Sequence, residues 1–149
     1  MRRFAFKLER LLKLREHAEK DWENRLGEIT SRCNVCRRRI AGKEADHSRI
    51  LEARSRGTGV TDLTAAELFM RRMREEIRSL NGELAGLEKT REEIQARYLE
   101  ASRERKILQK LKERQEQEYM KEQVKEEAKI LDDINNSAAA RGQAVFPEA

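Results

Sequence analysis

Between Leu63 and Leu111 apolar side chains return every three or four residues: Leu63, Ala66, Met70, Met73, Ile77, Leu80, Leu84, Leu87, Ile94, Tyr98, Ala101, Leu108 and Leu111. Arg91 and Arg105 occupy the two polar interruptions of that count. A repeat of 3.5 residues sustained over so many heptads is a coiled-coil seam, and it excludes strands throughout the segment. No proline breaks it, because the single proline is Pro147. Gly82 and Gly86 lower helix propensity by about 1 kcal/mol each without ending the helix.

A shorter register precedes it. Phe4, Leu8, Leu11, Ala18 and Trp22 follow the same spacing with Arg15 in the empty position, and Leu26, Ile29, Cys33, Cys36 and Ile40 continue it. His47 and Leu51 extend the register more weakly. Two consecutive steps of four, Ala18 to Trp22 to Leu26, predict a stutter that relaxes the supercoil.

The two registers are separated by "ARSRGTGVTDLTAAE", where Gly57 and Gly59 supply a turn and Thr64 with Glu67 forms a capping box, Asp62 competing as N-cap. The expected fold is therefore all-α: two long helices forming an antiparallel coiled-coil hairpin. Arm one spans about 4–55, the turn about 56–61 and arm two about 62–135, a single domain over 1–136. Past Asn136 period and charge are lost, which predicts a disordered tail at 137–149. With the turn centred near Thr58, Phe4 should lie by Leu111, Leu8 by Leu108, Trp22 by Ile94, Cys33 by Leu84 and Cys36 by Leu80. Residues from about 114 to 135 are left without a partner.

Composition narrows the function. Of 149 residues 41% are charged and 38% apolar, too lean for a compact globule with a substrate cavity. The net charge of +5 is a small difference between 33 basic and 28 acidic residues, interleaved along the chain. That pattern describes a solvated helix surface and argues against a nucleic-acid footprint. No apolar run approaches the ~20 residues of a membrane span, and the basic N-terminus lacks the apolar core of a secretory signal, so a cytoplasmic location is expected.

The stretch "RCNVCRRR" is the one place that resembles a chemical motif. Cys33 and Cys36 both fall on the seam, where a free cysteine packs as a small hydrophobe. A zinc site needs four ligands, and His17 and His47 lie ~24 and ~16 Å away along the helix. A redox pair would sit at a helix start, not deep inside one. Arg37, Arg38 and Arg39 fan around the helix as a solvated collar with Arg32 and cannot form one stripe. Neither histidine belongs to a nucleophile–base arrangement. The expectations are no catalytic residue, no metal, no cofactor, no small-molecule substrate and no enzyme activity.

The ends of the arms carry more apolar residues than the seam uses. Phe6, Leu12 and Leu14 flank the first register, and Ile107 flanks the second within "ERKILQKLKERQEQEY". The open end is expected to be a basic, apolar-rimmed helical tip. "FAFKLERLLKLREHAE", "ERKILQKLKERQEQEY" and "EEAKILDDIN" together resemble the flagellar export protein FliJ family, a soluble component of the flagellar type III export apparatus. Gln109 departs from the glutamate of the family's second block, and the cysteines are not part of the family pattern.

The resemblance implies a non-enzymatic stalk at the flagellar base, peripherally associated with the inner membrane and serving motility. It would insert into the hexameric export ATPase ring and promote its assembly. Further implied partners are the ATPase regulator, the export gate membrane protein and export chaperones. On matching positions it points to Phe4, Leu8, Leu11, Leu12 and Arg15, and to Glu104, Arg105, Lys106, Leu108, Leu111 and Lys112. Seam members would hold the tip's shape, and off-seam ones such as Phe6, Leu14 and Ile107 would touch the ring. A virulence-system stalk and a generic structural coiled coil remain open as alternatives.

Overall fold

The computed structural model describes residues 2–56 and 60–145, with side chains of the second helix described over 63–142. Two helices account for nearly all of them: α1, Glu9–Ser55, and α2, Val60–Val145. No strand occurs among the described residues. The helices pack as an antiparallel hairpin. Cys36 meets Leu80, Lys43 meets Glu76 and Arg54 meets Glu67, so positions on α2 fall as those on α1 rise.

The chain divides into a middle unit, 15–103, and a terminal unit made of 1–14 with 104–149. In the middle unit Ile29, Cys33, Cys36 and Ile40 are buried with Met70, Met73 and Ala101. Trp22, Leu26, Ile77, Leu80, Leu84, Leu87, Ile94 and Tyr98 are half-buried along the same faces. The predicted seam of α2 holds throughout. On α1 the predicted stutter is not needed: Glu19 is half-buried beside Ala18, and counting it gives unbroken threes and fours from Arg15 to Ile50. Polar side chains stand at those positions, and a count of apolar residues alone skips them. For the same reason the register ends on Ile50, half-buried, while Leu51 is exposed.

Three boundaries differ from expectation. α1 starts at Glu9, and residues 2–6 form a non-helical strap that turns into the helix through a Glu9 N–H to Phe6 carbonyl bond of 3.2 Å. α2 begins at Val60, so Thr64 lies inside the helix and does not cap it; Gly57, Thr58 and Gly59, the expected turn, lie outside the described residues. α2 also runs on to Val145, where a disordered tail was expected from 137. Ala138, Ala139 and Ala140 have the highest helix propensity of any residue, and the loss of a seam does not remove it.

Candidate functional site: the terminal unit

Within the terminal unit the start of α1 and the strap are fastened to α2. The Phe4 ring packs on Tyr119 with centroids 5.7 Å apart, and the Tyr119 hydroxyl donates to the Arg2 carbonyl. Glu9 pairs with Lys112 at 2.9 Å. Phe4 was expected beside Leu111. An extended strap advances ~3.3 Å per residue against 1.5 Å in a helix, so Phe4 reaches two turns further along α2.

The strap also reverses the roles of the flanking leucines. The helical register does not extend through the non-helical segment before Glu9, where Phe6 turns inward; within α1 Leu12, three before Arg15, takes the inward position and is only 1% exposed. Leu8 and Leu11, expected on the seam, are 39% and 37% exposed. Leu14 at 65% and Ile107 at 67% are the most exposed of the apolar residues expected to make contact. Phe4, Glu104, Arg105, Leu108, Leu111 and Lys112 are half-buried, and Lys106 is exposed. Arg15, half-buried, belongs to the middle unit.

On α2, Ile107, Lys110, Leu111 and Arg114 line a shallow groove. Their spacing of three and four places them on one helix face, two apolar and two cationic side chains together. Lys110, Arg114 and Tyr119 were not singled out from the sequence. Tyr119 was legible there, since the α2 register continued from Leu108 through Lys112 arrives at it.

Cys33 and Cys36 are buried free thiols, and Cys36 Sγ donates to the Leu80 carbonyl at 3.4 Å. Among the described residues no group of three His, Cys, Asp or Glu could hold a metal ion. Of the arginine collar, Arg37 bridges to Glu88 at 2.8 Å and to Asn34, and Arg38 bonds the Asn34 carbonyl. Arg32 and Arg39 are exposed. His17 is exposed, while Nε2 of half-buried His47 and Nε of Arg91 are buried without a hydrogen-bond partner among the described residues. No helix among the described residues is long and apolar enough to cross a membrane.

These features define a coiled-coil hairpin protein. Within that class the chain belongs to the flagellar FliJ protein family, whose model matches residues 4–144. It is thereby associated with flagellar protein export. Comparison with curated proteins gives no match, and comparison with solved structures gives none.

Proposed function

We propose that this chain is the non-enzymatic stalk of a flagellar type III export apparatus. Its terminal unit enters the hexameric export ATPase ring and promotes ring assembly. The same protein links the ring and its regulator to the export gate at the inner membrane and to export chaperones.

Family membership supports the export role, and one observation supports the contact site. Leu14 and Ile107 stand about two-thirds exposed in the terminal unit, and Ile107 lines a groove on α2 with Lys110, Leu111 and Arg114. Apolar side chains exposed on a positively edged helix suit a protein partner with a partly acidic lining. Phe6 and Leu12 of the same unit are buried.

The test is to mix the purified protein with its cognate export ATPase and follow ring assembly and ATP turnover. The unaltered protein should stimulate both. Leu14→Asp and Ile107→Asp should lose most of the stimulation while keeping full helix content. No stimulation by the unaltered protein would sink the stalk reading. Undiminished stimulation by both variants would leave the function and refute this contact site.

A further inference from the structure

No residue before Glu9 is a helix breaker, yet α1 begins only there. Residues 2–8, "RRFAFKL", contain no glycine and no proline, and none of the serine, threonine, aspartate or asparagine that caps a helix start. Leu8, at the cap position, offers no side-chain acceptor to the free N–H groups of the first turn. Arginine, alanine, lysine and leucine are good helix formers, and adding a residue to an existing helix is close to neutral in free energy. The segment is kept out of the helix by contacts within the terminal unit. They are the Phe4 ring on Tyr119, the Tyr119 hydroxyl on the Arg2 carbonyl, and the burial of Phe6.

Strap and helix compete for the same groups. In a helix the Arg2 carbonyl accepts from the Phe6 N–H, whereas in the strap it accepts from Tyr119. One turn back from buried Leu12, a continued helix brings Leu8 to the inward face. Phe6 then lies about 160° around from Leu8 and turns outward. The strap does the reverse, burying Phe6 and leaving Leu8 39% exposed. Charge sides with the strap. Docked, Arg2 lines a pocket on α2 with Glu122, Glu126 and Glu127. Wound, Arg2 and Arg3 stand at a helix N-terminus, where the dipole disfavours cations.

We propose that residues 2–8 are a two-state switch, docked on α2 as a strap or released and wound onto α1 as about two further turns. Winding carries Phe6 from the core to the surface, four residues before Arg10 and eight before Leu14, so that the three share one helix face. Arg10 and Leu14 are exposed already. The wound form enlarges the apolar, cationic surface to which Leu14 belongs and frees Tyr119 from Phe4. A partner that takes up Phe6 draws the equilibrium towards it. The switch stands apart from the stalk reading, and only its use in contacting the ATPase ring rests on that reading.

Backbone NMR of the full chain tests the switch, the Cα shifts of residues 3–6 distinguishing strap from helix. The unaltered protein should show non-helical shifts there. Tyr119→Ala removes the ring contact and the hydroxyl together, and should move these residues to helical shifts with a matching rise in helix content. Arg2→Glu combined with Arg3→Glu should move them the same way while Phe4, Phe6 and Tyr119 stay in place. Adding Lys7→Pro to either should cancel the gain, because proline is excluded from a helix interior. The switch is overturned if in either variant residues 3–6 stay as they are or take random-coil shifts, which would make the segment a tail that frays. Its use is read from turnover of the cognate export ATPase. Tyr119→Ala should stimulate at lower concentration than the unaltered chain, and Lys7→Pro alone should need a higher one. Equal stimulation by all three, with the shifts as expected, would overturn the role at the ring and leave the switch. No stimulation by any of them would count against the stalk reading, and the shifts would still decide the switch.

Discussion

Leu12 and Leu14 are two residues apart, identical in chemistry and opposite in circumstance, one 1% and the other 65% exposed. Leu12→Ala should therefore cost about 2–3 kcal/mol in chemical unfolding through lost burial and the cavity left behind. Leu14→Ala should stay within about 0.5 kcal/mol, as surface changes do. The residue scale also sets the pH response. A hydrogen bond from Lys43 holds the Glu76 carboxyl below the usual glutamate range, with the Lys43 charge and then Arg72 adding to it, and burial opposing. A carboxylate whose pKa is lower folded than unfolded stabilises the fold above its unfolded pKa, about 4.3 for glutamate. That contribution is lost as pH falls through the folded value. The deficit of Glu76→Gln in thermal unfolding should accordingly be full at pH 7 and shrink as pH falls below the usual glutamate range; a constant difference across that range would contradict the role given to this ion pair.

At the scale of the elements, α1 and α2 are held helical by composition and by one shared seam, and the seam tolerates polar members. Arg15, Glu19 and Lys43 take α1 register positions, and Arg91 and Arg105 take α2 ones. The glycines are different, because packing does not require them. A Cβ built at Gly82 or Gly86 meets nothing within 4 Å. Gly82→Ala and Gly86→Ala should each stabilise the protein by about 0.5–1 kcal/mol, read as a higher denaturant midpoint. Unchanged or lowered midpoints would mean that these positions contact something in solution. The seam of α2 was legible in the sequence nearly residue by residue, since a 3.5-residue repeat has few alternative structures. The α1 register was legible only where apolar residues marked it, and reading polar positions as gaps produced a stutter that the helix does not have.

For the whole molecule, the antiparallel hairpin brings Lys43 and Glu76 together, far apart in sequence and 2.5 Å apart in space. Replacing both with cysteine should give a crosslink within one chain, seen as a faster-migrating monomer on a denaturing gel. Crosslinks forming only between chains would contradict the hairpin. The sequence by itself determined two long helices, their antiparallel pairing and the seam positions of both cysteines, because period, charge and glycine placement are local and agree along the chain. Only the tertiary structure decided which apolar residues at the terminal unit are core and which are surface. There the strap gives up helix to place Phe4 on Tyr119, a contact between residues more than a hundred positions apart. An amphipathic count assumes that the helix continues through every residue it includes. Where the helix begins only at Glu9, the count has no authority over Phe6 and Leu8; inside the helix it places Leu12, three before Arg15, on the same register as Glu19 and Trp22.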